Sequence, residues 1–254
     1  RFQRFRKAVD AKGDVKSDWV IICELAKRLG YEMNYKNTEE IWNECIRLAP
    51  SFTGATYDSL EKLGGIQWPC RTEGDTGTPY LFKGNVFLTP TKKGNMFATE
   101  WRPPAEQPDA EYPLVLSTVR EVGHYSSRTM TGNCWGLSKL ADEPGCLQIN
   151  PEDADKLGIA DGELVRITSR RGSVISRALV TDRVKLGVVY MTYQWWIGAC
   201  NELTIHVVDP ISKTPEYKFC AVNVVAIADQ EKAQQELTAE YNELKRKMGA
   251  VVSQ

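Results

Sequence analysis

Residues 163–182 read ELVRITSRRGSVISRALVTD, and residues 184–196 follow with VKLGVVYMTYQWW. The first stretch is two runs of alternating apolar and polar residues about Arg171-Gly172, the pattern of a β-hairpin. The second adds a strand that runs into an aromatic cluster. Just upstream, NPEDADKLG (150–158) has Asn150 as an N-cap, Pro151 at the first helical position, acids in the first turn and Gly158 beyond the end. That order predicts a compact helix. Strands are expected at Leu147–Ile149 and Leu114–Val119, and YKFCAVNVVAI (217–227) is extended as well. A last helix is expected from near Asp229, carrying Leu237, Tyr241, Leu244 and Met248. Many short strands with two small helices argue for a closed barrel rather than an open parallel sheet.

The first sixty-odd residues have a different period. Ser17 or Asp18 can cap a helix whose apolar positions Trp19, Ile22, Cys23, Ala26 and Leu29 recur every 3.6 residues, ended by Gly30. Asn37 and Glu40 are spaced as a capping box for a second helix, stopped by Pro50. A shorter third helix carries Tyr57, Leu60 and Leu63 and stops at Gly64-Gly65. Residues 69–113 are rich in Gly, Pro and Thr, with YLFKGNVFL (80–88) and NMFATEW (95–101) as short β candidates between turns. The expected class is therefore α+β: a helical part over 1–79, then a mainly β barrel with small helices and a C-terminal helix over 80–254.

Composition narrows the function. With 32 basic and 33 acidic residues the 254-residue chain has a net charge of −1, so no basic field marks nucleic acid as a partner. No apolar run approaches the ~20 residues that cross a bilayer, and RFQRFRKAVDAKGDVKSD at the start has no apolar core of a signal peptide. The seven cysteines stand singly, without a C-x-x-C pair that would hold zinc or an iron–sulfur cluster. An odd count suits a reducing compartment, and a cytoplasmic location is expected. Arg1 opens the chain with no Met, which suggests a segment of a longer polypeptide.

The chemistry concentrates where the first barrel strand ends. In PLVLSTVREVGHYSSRTMTGNC (113–134) an apolar strand delivers Arg120, Glu121, His124, Tyr125, Ser126, Ser127, Arg128 and Thr129 almost without a break. A guanidinium at a strand end suits capture of a phosphate or carboxylate, and the hydroxyls and imidazole beside it suit a polar heterocycle. A polar loop whose charges merely pair with neighbours is the plainer alternative. Tyr193, Trp195 and Trp196 directly follow a strand and can wall a pocket or simply fill the core. Two histidines are too few for a histidine-based metal site, and G-x-G-x-x-G, G-x-x-x-x-G-K-[ST] and G-x-S-x-G are all absent. Binding features are present without catalytic apparatus.

Three stretches, YPLVLSTVREVGHYSSRTMTGN (112–133), INPEDADKLG running on to YMTYQWW (149–196), and KTPEYKFCAVNV (213–224), resemble the C-terminal dinucleotide-binding domain of molybdopterin oxidoreductases. The P-E-D-A-x-x-L-G-I helix with its R-x-G hairpin is common across that superfamily. TYQWWIGACNEL (192–203) and KTPEYK (213–218) are similar to formate dehydrogenase H-type catalytic subunits, and the likeness extends to DWVIICELAKRLGY and GATYDSLEKLGGIQWPCR.

The resemblance implies a double-psi-like barrel lying over two molybdopterin guanine dinucleotides (bis-MGD) that hold molybdenum or tungsten, with residues 1–79 as the tail of an upstream helical and α/β cofactor-binding region. It implies that Arg120, Glu121, His124 and Ser126 contact one dinucleotide, that Tyr193, Tyr217 and Lys218 also contact the cofactor, and that Asp18 binds guanine. A carboxylate suits that last role, because it accepts two parallel hydrogen bonds from N1–H and N2–H. The iron–sulfur cluster, the cysteine or selenocysteine metal ligand and the catalytic residues would lie in N-terminal domains of the same subunit, so no catalytic or metal-ligating residue is assigned here. Formate or CO2 would be the substrate, and an electron-transfer or hydrogenase subunit a possible partner. The alternatives are a same-family enzyme acting on nitrate or another small oxyanion, which Tyr-Gln-Trp-Trp weighs against, and a separately encoded non-catalytic pterin-binding module.

Overall fold

Residues 1–141 and 144–247 are described by a computed structural model, in which the chain divides into two compact units, Arg1–Thr99 and Glu100–Gln254. Asp142, Glu143 and residues 248–254, including the Met248 expected on the last helix, lie outside the described residues.

The second unit is a closed barrel of six strands: β1 (Leu114–Val119), β2 (Cys146–Ile149), β3 (Leu164–Thr168), β4 (Ser173–Val180), β5 (Val188–Thr192) and β6 (Cys220–Ala226). Around the barrel the order is β1-β5-β2-β4-β3-β6. The expected hairpin is β3 against β4, antiparallel from Leu164↔Arg177 to Thr168↔Ser173. The pairs β1–β5 and β2–β4 are parallel, and the other neighbours are antiparallel. Closure follows from the two-residue period. Leu114, Leu116 and Thr118 of β1 are buried while Val115, Ser117 and Val119 between them are only partly so, since alternate side chains leave opposite faces. Leu147, Ile149, Val165, Ile167, Val189, Met191, Val222 and Val224 meet Leu114 and Leu116 inside. Among the described strands, closing the sheet leaves no edge unpaired.

Helices plug and flank the barrel. In α5 (Pro151–Leu157) the Asn150 side chain accepts from the Glu152 N–H, and Gly158 takes the left-handed conformation at φ 66°. Ala154 and Ile159 thereby enter the core. The last helix, α6 (Gln230–Lys247), buries Ala233 and Leu237, and its Gln230 side chain bonds both the N–H and the carbonyl of Leu164, as a neighbouring strand would. A six-residue helix, α4 (Trp135–Leu140), follows β1 where the sequence pattern predicted none.

A carboxylate ties the segment before β1 to the hairpin. Glu106 accepts from Arg170 Nη1 at 2.7 Å, from Arg171 Nη1 and Nη2 at 3.0 and 2.9 Å, and from the Ala221 N–H at 2.9 Å. Arg171 Nε donates to the Leu203 carbonyl at 2.9 Å, and Arg170 also meets Asp109 while lying 4.6 Å from the Tyr112 ring centre. Burial pushes the Glu106 carboxyl up, but the bonds from Arg171, Ala221 and Arg170 outweigh it and hold it below the usual glutamate range.

The first unit contains α1 (Asp18–Arg28), α2 (Thr38–Leu48) and α3 (Tyr57–Leu63). Asn37 caps α2 by accepting from the Glu40 N–H, and Glu40 reaches back to the Lys36 N–H at 2.8 Å. Its small core is Ala55, Leu60, Ile66 and Cys70, with Phe2 and Trp42 against it. Helix α1 has no fully buried residue, and Ile21, Ile22, Leu25 and Leu29 stand exposed. The β candidates at 80–88 and 95–101 are not strands. Leu88, Met96, Phe97 and Trp101 are almost fully exposed, and the hydrogen bonds there, such as Phe87 N–H to the Lys92 carbonyl, are local turns. Aromatic and β-branched content raises strand propensity, yet an extended segment persists only with a ladder partner.

One glycine carries a large prediction. A Cβ on Gly145 would sit 1.7 Å from Trp195 Nε1 and 2.0 Å from Cδ1, so the indole occupies the space a side chain would need. Gly145→Ala is expected to destabilise the barrel unit by roughly 1–3 kcal/mol, the range for overpacking a filled core. Thermal unfolding of the variant checks this; an unchanged melting temperature would contradict it.

Candidate functional site: a cationic cleft at the strand ends

Strands β1 and β5 run parallel with Val119 opposite Thr192, so both end at the same rim of the barrel. The chain continues in step beyond them: the Tyr193 N–H donates to the Val119 carbonyl at 3.3 Å, and Arg120 Nε donates to the Tyr193 hydroxyl at 2.9 Å. Strand β6 runs antiparallel to β1, with Leu116 opposite Cys220, which brings the residues just before β6 to that rim too. Thr118 Oγ1 donates to the Tyr217 carbonyl at 3.1 Å, and Lys218 Nζ to the Thr118 carbonyl at 2.8 Å.

Arg120, Tyr193, Asn201, Tyr217 and Lys218 line one cleft of about 520 Å³. Two cations, two phenols and an amide face it, and among the described residues no carboxylate does. The bond to the Tyr193 phenol holds the Arg120 guanidinium above its ordinary pKa. Among the described residues Lys218 uses one of three ammonium hydrogens, on Thr118, and Arg120 uses its Nε–H on Tyr193, which leaves both terminal guanidinium nitrogens to fork onto an oxyanion. Such a set binds a phosphorylated or otherwise anionic ligand, with aromatic rings on which a flat heterocycle can rest.

The other residues singled out in the sequence stand elsewhere. Glu121 Oε1 accepts from the Val122 N–H at 3.0 Å, and its carbonyl accepts from Gln194 Nε2 at 3.1 Å. His124 is 3 % exposed. Its Nε2 faces the Ala141 carbonyl at 2.8 Å, which makes that nitrogen a donor, and its Nδ1 faces Thr131 Oγ1 at 3.0 Å. The imidazole and the Trp195 ring stand nearly perpendicular, at 83°, with ring centres 5.6 Å apart. Ser126 is exposed on a turn at φ 47°. Trp195 is buried, donating its indole N–H to Thr192, whereas Trp196 meets Tyr241 of α6 with ring centres 6.4 Å apart. Asp18 is the exposed first residue of α1, in the other unit. Asn201 was not anticipated from the sequence; its only signal was a place in the quoted 192–203 run, and a lone Asn in a short 3-10 turn carries no pattern. Among the described residues no group of three His, Cys, Asp or Glu side chains is placed to hold a metal ion, and no helix is long and apolar enough to cross a membrane.

Residues 114–221, which span β1 to the start of β6 and include all five cleft residues, match the molydopterin dinucleotide binding domain family. Formate dehydrogenase H of Escherichia coli is 57% identical over 249 residues, covering 97% of this chain and 35% of that protein. F420-dependent formate dehydrogenase 2 subunit alpha of Methanococcus maripaludis is 44% identical, covering 89% of this chain and 33% of its own length. A nitrate reductase of Symbiobacterium thermophilum is more distant at 37%, with 88% and 32% covered. Among solved structures, acetylene hydratase from Pelobacter acetylenicus superposes with a TM-score of 0.59 at 18% identity, over 87% of this chain and 34% of that one, a likeness of fold. The chain thus spans about a third of the length of the relatives it matches.

Proposed function

We propose, from the premise that this chain carries a molydopterin dinucleotide binding domain and belongs with the formate dehydrogenases, that it is the cofactor-binding C-terminal portion of an enzyme interconverting formate and CO2. The observation that carries the reading is the convergence of Arg120, Tyr193, Tyr217 and Lys218, from three different strand ends, on one cleft with no carboxylate among its described lining residues. That donor set fits a guanine dinucleotide of molybdopterin: the two cations match phosphate oxygens, and Tyr193, Tyr217 and Asn201 offer hydroxyl and amide partners to its polar rings.

In this reading Arg120 forks onto a phosphate, Lys218 neutralises a second oxygen as a point charge, and the Tyr193 phenol keeps Arg120 aimed by accepting from its Nε. When bound, the cofactor supplies a molybdenum or tungsten centre able to take up two electrons, while this portion binds and orients it. Glu121, His124 and Ser126, which do not line the cleft, are proposed to meet the same dinucleotide from the segment that follows Arg120. For His124 a buried, doubly bonded ring makes the contribution one of shaping the segment 121–141. Asp18 is proposed as the guanine acceptor and residues 1–79 as the tail of an upstream cofactor-binding region. The iron–sulfur cluster, the cysteine or selenocysteine metal ligand, a cytoplasmic location and an electron-accepting subunit are part of the proposal for the whole protein.

The test uses the full-length protein purified without oxygen. It is expected to carry molybdenum or tungsten, to release guanosine monophosphate (GMP) on acid treatment, and to reduce a viologen dye with formate. Nitrate reduction without formate oxidation would move the substrate to an oxyanion, and absence of GMP would remove the cofactor reading altogether.

A further inference from the structure

The two strand ends are joined by a double clasp. Arg120 Nε donates to the Tyr193 hydroxyl at 2.9 Å, and one residue further along both strands Gln194 Nε2 donates to the Glu121 carbonyl at 3.1 Å. Arg120 is therefore held twice, through its own guanidinium and through the backbone of the residue that follows it. Gln194 does not line the cleft; it is 1 % exposed, and its Oε1 is buried with no hydrogen-bond partner among the described residues. A buried acceptor left unpaired is unfavourable, and an apolar side chain of the same length avoids it. The Glu121 carbonyl, for its part, also accepts from the His124 N–H at 3.4 Å, so it keeps a donor without Gln194. The amide is thus a poor device for stabilising the fold, and its one bond among the described residues acts on the backbone that carries the cleft arginine.

We propose that Gln194 is a positioning residue for the anion clamp: by fixing the Glu121 carbonyl it sets the aim of Arg120 toward the phosphate of the bound dinucleotide. The inference rests on the cofactor reading above.

Two variants of the full-length protein test it. Gln194→Met keeps length and bulk without a donor or an acceptor. Its melting temperature is expected to match or exceed that of the parent, while GMP and metal retained per polypeptide under limiting cofactor fall roughly three- to tenfold, the worth of about one neutral hydrogen bond. Retention equal to the parent's overturns the proposal, as does a loss of retention matched by a lower melting temperature in cofactor-free protein, which is the mark of a structural residue. Gln194→Glu supplies an independent readout should the methionine variant fold poorly. A protonated carboxyl donates to the Glu121 carbonyl and an ionised one repels it, so retention should be near normal at low pH and lost as pH rises through the carboxyl's titration, which burial places above the ordinary glutamate range. A pH-independent loss, or none, overturns the proposal. Arg120→Ala measured alongside separates the two failures: if it too retains its GMP, the placing of the dinucleotide at this cleft has failed, whereas loss in Arg120→Ala alone fails only Gln194.

Discussion

Replacing Arg120 and Lys218 together by alanine is expected to strip the full-length protein of its dinucleotide cofactor while leaving the barrel folded. Each side chain offers charged hydrogen bonds to an anion, and a hydrogen bond to a charged group contributes about 1.5–3 kcal/mol. The pair is then worth about 3–6 kcal/mol, or two to four powers of ten in affinity, with the sum as an upper figure because both cations address one ligand. The fold should survive, since Arg120 and Lys218 are both exposed. The Thr118 carbonyl loses its Lys218 bond, but Thr118 Oγ1 still holds the Tyr217 carbonyl. Metal and acid-released GMP per polypeptide, read beside the melting temperature, check the prediction. Wild-type content in the double variant would remove the cleft from the cofactor's path.

The second large effect is on stability and concerns Glu106. Glu106→Ala leaves Arg171, whose side chain is only 17% exposed, and the Ala221 N–H without their acceptor. Breaking one side of a buried charged pair costs about 3–5 kcal/mol, and the lower end suits a network whose other cation, Arg170, is 38% exposed. About 3 kcal/mol corresponds to roughly 6–12 °C in melting temperature for a unit of this size.

The same carboxylate sets an acid limit. Its folded pKa lies below the unfolded value, so the folded state binds fewer protons than the unfolded one as pH falls through the ordinary glutamate range. Its contribution is complete above that range, near 4.3 for an unfolded glutamate, and is lost as pH drops through the lowered folded value. Asp109, held down first by the Tyr112 N–H and then, against some burial, by the Glu111 N–H and Arg170, adds in the same direction. Acid unfolding should consequently begin at higher pH in Glu106→Ala at equal temperature, because the variant enters that range already weakened. Coincident acid transitions for the two proteins would contradict this account.

How much of this was legible beforehand depends on the range over which each signal acts. The β3–β4 hairpin and α5 were readable because Arg171-Gly172, Asn150, Pro151 and Gly158 act within a few residues of where they sit. The strand end at Arg120 was readable too, as an abrupt change from apolar to polar residues. Barrel closure was an inference from the number of short strands, but the parallel β1–β5 pairing is a contact between residues some seventy apart, and no local pattern encodes it. That pairing brings Tyr193 to Arg120, and the β1–β6 pairing brings Lys218 to Thr118. The clefts' membership therefore came into the sequence reading through family resemblance rather than through spacing. Leu88 and Phe97 misled because propensity was read without a partner strand. Helix α4 was missed because Trp135–Leu140 is too short to display a helical period. Gln194 and Asn201 stood out only as members of the 192–203 run, because a single amide has no periodicity of its own.

A density map of the full-length holoprotein, prepared without oxygen, tests the central claim most directly. The account predicts a phosphate of a bound guanine dinucleotide within hydrogen-bond distance of Arg120 and Lys218, with Tyr193 still accepting from Arg120 Nε. A map in which the dinucleotide is bound elsewhere, and both cations face bulk water, would contradict it.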